Sequence, residues 1–217
     1  MIRLFTALSA CLLLSACVIH VGPGSYRNPN VGEDTVFGDI QVPSGQTVGS
    51  LSSVNGSISV SFGAKAGHVS TVNGSIELDE KVEVDSITSV NGSINGGKDL
   101  RVQGEIETVN GTIRLAQNSS VLGEINSTNG DILLTGVKLQ SNLITINGDI
   151  TVKSDSVIAG NIVVKGNKGS DNNNNKPPVI TLAQEVNLMG AILLERPATI
   201  KLSNPEHQAK VQRLYLK

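Results

Sequence analysis

The sequence has no tryptophan, three phenylalanines and two tyrosines in 217 residues, so aromatic side chains make up 2% of it. So few rings argue against stacking platforms for single-stranded nucleic acid, aromatic girdles of a membrane barrel, and a core built on large anchors. Charge is scarce as well: charged residues are 17% of the chain and the formal net charge is −2. That balance removes the electrostatic reason to expect nucleic acid as a partner. Only two cysteines occur, Cys11 and Cys17, and neither lies beyond the first twenty residues. What is plentiful is glycine, with 23 residues, and asparagine, with 20.

The first twenty residues read as an address. Arg3 precedes an apolar run from Leu4 to Leu14, too short to span a bilayer, and the run closes with Leu14-Ser15-Ala16-Cys17. That ending resembles the lipobox of bacterial lipoproteins, which implies a signal peptide over 1–16 and acylation of Cys17 as the first mature residue. Val18, in place of Asp, implies the outer membrane by the same resemblance, on its periplasmic or its surface face. Several acyl chains give stable attachment where one would bind marginally. The mature chain would then hold 201 residues with 16 basic and 19 acidic side chains, a net charge of −3. With Cys11 removed and Cys17 under lipid, no disulfide is expected.

Repeats dominate the rest. Val54-Asn55-Gly56-Ser57-Ile58 recurs as Val72-Asn73-Gly74-Ser75-Ile76, Val90-Asn91-Gly92-Ser93-Ile94 and Val109-Asn110-Gly111-Thr112-Ile113. Thr128-Asn129-Gly130-Asp131-Ile132 and Ile146-Asn147-Gly148-Asp149-Ile150 continue it, with Gly38 before the series and Gly166 after it. These glycines step by 18 or 19 residues. A second column runs half a period away, through Gly49, Gly67, Asp85, Gly104, Gly123, Ser141 and Gly160. Within one repeat the apolar positions are Ile76, Leu78, Val82, Val84, Ile87 and Val90. Spacings of two with jumps between them describe short strands separated by corners. A stacked-helix solenoid is excluded, because β-branched residues and Asn-Gly in every repeat oppose helix.

The expected fold is therefore all-β: a single-stranded parallel β-helix, or β-solenoid, of about 18 residues per coil and eight to nine coils. The right-handed preference of parallel crossovers favours that hand. Val72, Leu78, Val84 and Val90, at six-residue steps, also suit a left-handed hexapeptide helix. No single coil buries its apolar face, so stability comes from neighbours, and aliphatics fill a coil too slim for rings. Asn and Gly tolerate the left-handed backbone that a sharp corner needs. Stacked amides at Asn55, Asn73, Asn91, Asn110, Asn129 and Asn147 can bond to each other as a ladder beside Gly56, Gly74, Gly92, Gly111, Gly130 and Gly148. Behind a bacterial lipobox these triplets read as corners and not as glycosylation acceptors.

Residues 17–30 read as the lipidated cysteine and a flexible tether, and 31–202 as the solenoid. Residues 167–178, with Asn172 to Asn175 and Pro177-Pro178, form a polar insertion, since Asn161 to Ala191 is one coil plus roughly 12 residues. Residues 203–217 read as a C-terminal cap over an edge that would otherwise invite aggregation. Together, the lipobox and the Val-Asn-Gly-Ser-Ile repeats resemble the β-strand-repeat adhesin or toast-rack family of bacterial envelope proteins and its GIN-type autotransporter-head relatives. Bactofilins are a more distant likeness. The family resemblance carries an architecture and no catalytic motif.

A catalytic centre finds little support. His20, His68 and His207 have no His or Cys partner at metal spacing, and no metal or cofactor is expected. His68 reads as a lone solvent-facing residue. The acids that share columns are Asp131 with Asp149 and Glu105 with Glu124, each pair one coil apart. Such pairs could bind a cation or act as acid and base. The plainer reading is a corner that accepts small polar residues, since Ser57, Ser75, Ser93 and Thr112 fill the Asp131 position elsewhere. The expectation is a lipid-anchored, non-catalytic structural or adhesion-like interaction protein that contacts envelope glycan or protein. Two alternatives stand beside it: a polysaccharide-acting β-helix using Asp131 and Asp149, and a scaffold that stacks end to end.

Overall fold

The computed structural model describes residues 32–166 and 176–216. Cys17, the tether over 17–30 and most of the insertion over 167–178 lie outside the described residues. The described chain is a parallel β-solenoid of about nine coils, with strands on three faces. The first face follows the Asn-Gly corner and is a nine-stranded sheet from Ile40–Val42 through Ile58–Val60 and Ile76–Leu78 to Thr199–Leu202. The second face carries two-residue strands such as Arg101–Val102, Ser120–Val121 and Lys138–Leu139. The third face runs from Glu33–Phe37 through Leu51–Asn55 and Ile106–Asn110 to Val211–Arg213. In two coils the second corner is straightened, so that Lys65–Asn73 and Glu83–Asn91 each serve both faces. At about 4.8 Å per coil, nine coils make a rod of roughly 43 Å.

Every strand pair is parallel and in register by repeat: Ile58 lies on Ile76, Ile76 on Ile94 and Ile94 on Ile113. The isoleucine after each Asn-Gly-x corner points inward and is buried from Ile40 to Ile180. Burying each such side chain stabilises the rod by about 1.5–3 kcal/mol. The column beside it is Val42, Val60, Leu78, then Gly96, then Leu115 and Leu134. A methyl group on Gly96 would collide with the side chains of Leu100 and Leu115. Leu100 is fully buried one corner further along and fills the volume that Gly96 leaves. In this coil a large side chain in one column thus compensates for a missing one in the next.

The insertion leaves the ladder intact. Ile162 pairs with Ile192 and Ile150 with Ile180, steps of 30 residues where a plain coil takes 18 or 19. At the far end Asn204 accepts the Glu206 amide and Pro205 opens a 3-10 helix, Pro205–Lys210. The chain then returns to the third face, where Val211–Arg213 pairs with Ile192–Leu194. At the opposite end Glu33 stands where Leu51 and Val69 stand above it, an exposed acid in an otherwise aliphatic column. A charged residue in that column discourages edge-to-edge pairing.

Two readings of the repeat need correction. Val72 and Val90 are not core residues: Val72 is 37% exposed, whereas Thr71 and Ser89 beside them are buried. The inward residues along this stretch are Ile87 and Ser89, with Thr88 and Val90 outside, so the six-residue apolar series is interrupted. A hydroxyl goes inside because the corner carbonyls need a donor there. Beyond Gly38, moreover, the left-handed backbone lies at a different corner from Asn-Gly.

Candidate functional site

The repeated polar corners are the arrangement from which a site would have to be built. At the Asn-Gly corner, backbone φ is positive only at Gly38, where the series begins. The later glycines answer a different requirement. A methyl group on Gly92 would overlap the Gly74 carbonyl, and one on Gly130 the Gly111 carbonyl. Successive coils touch backbone to backbone here, and only a residue without a side chain lets them close. The left-handed positions fall instead between the first and second faces, at Gly45, Gly63, Lys81, Asp99, Asn118, Gly136 and Ser154. Because residue type varies from coil to coil at that corner, the repeat pattern does not reveal it.

Beside the glycines the asparagine amides form a continuous ladder. Nδ2 of Asn73, Asn91, Asn110, Asn129 and Asn147 each donates to Oδ1 of the asparagine one coil below, at 2.8–3.0 Å. Asn55 Nδ2 closes the lower end on the Val36 carbonyl at 3.5 Å. Lys165 replaces the next asparagine above, and Arg196 takes over: its Nη1 donates to Asn147 Oδ1 at 2.7 Å and to the Ile146 carbonyl at 3.3 Å. Sequence reasoning missed Arg196. The signal was the break in the asparagine series, which leaves the last acceptor needing a donor.

Inside the corner runs a second polar column, also missed: Ser53, Thr71, Ser89, Thr108, Ser127 and Thr145, all buried. Thr71 donates to the Gly56 carbonyl at 2.9 Å and Thr108 to the Gly92 carbonyl at 3.4 Å. Ser127 and Thr145 instead bond within their own coil, to both the amide and the carbonyl of Gly130 and Gly148. Ser89 Oγ is buried with no partner.

Three of the four acids singled out from the sequence, Asp131, Asp149 and Glu124, sit in such ladders. Asp131 Oδ1 accepts the Asp149 amide at 2.9 Å, and Asp149 Oδ1 accepts the Val179 amide at 2.8 Å. Asp39 Oδ1 and Ser57 Oγ do the same for Ser57 and Ser75. At the second corner Glu124 accepts from Asn142 Nδ2 at 2.7 Å, while Glu105 is exposed. His68 is half-buried and not a lone solvent-facing residue, since its Nδ1 lies 2.6 Å from Ser86 Oγ. Among the described residues no group of three or more His, Cys, Asp and Glu side chains is placed to hold a metal ion. No helix among them is long and apolar enough to cross a membrane.

The second face carries one short ion ladder, Lys65–Glu83–Arg101, at 2.7 Å and 3.2 Å. The hydrogen bond from Lys65 is the largest influence on Glu83 and holds its carboxyl below the usual range. Lys81 also lies over the Phe62 ring, 5.3 Å from its centre. Comparison with family models, with curated proteins and with solved structures finds no match for this chain.

Proposed function

We propose that this chain is a lipid-anchored cell-envelope solenoid that acts as a non-catalytic structural or adhesion-like interaction protein, held to the outer membrane through Cys17. The observation that carries the reading is the employment of its acids. Asp131 and Asp149 each use a carboxylate oxygen to accept the backbone amide of the next coil, as serines do elsewhere in the column. Each of these bonds gives an acid the same structural role that a serine fills in other coils, a role that requires no acid–base chemistry. What the rod offers outward is regular rows of hydroxyls, amides and small aliphatics, which suit contact with a repeating polymer such as an envelope glycan. The likeness to β-strand-repeat adhesins supports the same reading.

Two measurements test it. Palmitate labelling of the expressed chain should be lost in Cys17→Ser, and labelling that survives would remove the anchor. The soluble Cys17→Ser protein should bind envelope polysaccharide without turning it over, and Asp131→Asn with Asp149→Asn should leave binding unchanged. Cleavage of a polysaccharide by the wild type that disappears in the double variant would overturn the non-catalytic reading in favour of a β-helix enzyme.

A further inference from the structure

We propose that the C-terminal segment Pro205–Arg213 is an acid-released latch over the last coil, with His207 as its trigger. His207 lies in the 3-10 helix Pro205–Lys210 and is only 4% exposed, the one buried ionisable side chain among the described residues. Its Nδ1 is buried with no hydrogen-bond partner. In the imidazolium both ring nitrogens carry a proton, so charging the ring makes Nδ1 a buried donor with no acceptor. Both the charge and the unpaired donor cost stability wherever water cannot compensate.

The surroundings act in the same direction. Burial, and then the Lys210 ammonium, hold the imidazole below its ordinary value, against smaller opposing effects of Glu206 and the Val186 backbone. Lys210 is itself fixed, since its Nζ donates to the Leu188 carbonyl on the last coil. Of the other charged groups on adjoining segments, Glu185 beside Val186 and Lys201 on Thr199–Leu202 are both exposed. A depressed imidazole binds fewer protons in the closed state than in the open one. Closure is therefore strongest above the ordinary histidine value, about 6.5, and weakens as pH falls below it. Opening would release Val211–Arg213 from Ile192–Leu194 and leave the last coil with an unpaired strand edge.

Hydrogen exchange on the full chain, corrected for the intrinsic pH dependence of exchange, tests the latch. Between about pH 7.5 and pH 5, protection over 205–213 should fall by up to about tenfold per pH unit, while the coils over 58–164 hold theirs. His207→Gln should flatten that dependence. Should His207→Gln loosen the segment at every pH, Glu206→Gln decides. It keeps the imidazole but removes the carboxylate that favours its protonation, so the loss at acid pH should deepen. PH-independent protection in the wild type, a dependence that His207→Gln retains, or no effect of Glu206→Gln would each overturn the proposal.

Discussion

Glycine serves this chain in two physically distinct ways, and substitution separates them. Gly92 has ordinary backbone angles but no space, because a methyl group there meets the Gly74 carbonyl. Gly63 has open space but φ +66, so its cost is conformational. Gly63→Asn should cost about 1 kcal/mol or less, since asparagine tolerates the left-handed region. Gly92→Asn should cost about 3 kcal/mol or more, because two backbones must separate. Chemical denaturation of the two variants checks the contrast, and equal losses would refute it. The buried hydroxyls divide likewise. Thr145→Val strands both the amide and the carbonyl of Gly148 and should cost about 1–3 kcal/mol, whereas Ser89→Ala removes an unpartnered hydroxyl and should be nearly neutral. The Asn-Gly column was plain in the sequence because one residue type recurs. The left-handed corner was not, because Gly45, Lys81, Asp99, Asn118 and Ser154 share a conformation and no side-chain chemistry.

Strands of two to five residues have no stability alone, and here each is held by the copies above and below it. Alternation was legible for the aliphatic positions, where Ile76 and Leu78 face inward as their spacing requires. It misled at the end of the third face, where the apolar series includes Val90 but the adjacent Ser89 is the buried residue. Hydrophobicity alone chooses the valine. The corner carbonyls choose the hydroxyl, and a β-branched valine packs acceptably on the outer face of a strand. The ion ladder on the second face adds little by comparison. Its members are largely exposed, so Glu83→Gln should change stability by no more than about 1 kcal/mol, and that loss should shrink in high salt. Thermal melts at low and high ionic strength would show whether it does. Because the Glu83 carboxyl is held low, its contribution is present at neutral pH and fades as the pH falls through its range.

Since each coil repeats the same contacts, the rod should tolerate changes in coil number better than changes in coil length. Deleting residues 76–93, one 18-residue period, joins Ser75 to Ile94 and restores every column. The shortened protein should fold and lose about 5 Å of length by small-angle scattering. Deleting 85–93 removes half a period, joins Val84 of the second face directly to Ile94 of the first with no third face between them, and should abolish folding. Persistent folding of that half-period deletion would contradict the columnar account. The fold, its period and its two Asn- and Gly-marked corners could be read in advance, because a periodic chain states its geometry nine times over. The details that close its ends could not, because Glu33, Arg196 and His207 each occur once and follow no column.

The asparagine ladder is also an electrical object. In every rung Nδ2 belongs to the upper coil and Oδ1 to the lower, so the six amide dipoles point the same way along the rod. Aligned amides of about 3.5 D each add as they do along a helix axis. Partial negative charge therefore gathers at Asn147 Oδ1, where the Arg196 guanidinium sits 2.7 Å away. The cation terminates a field that extends the length of five coil steps. The rod thus has a polarity set by neutral side chains, independent of the hydrophobic columns that hold it together.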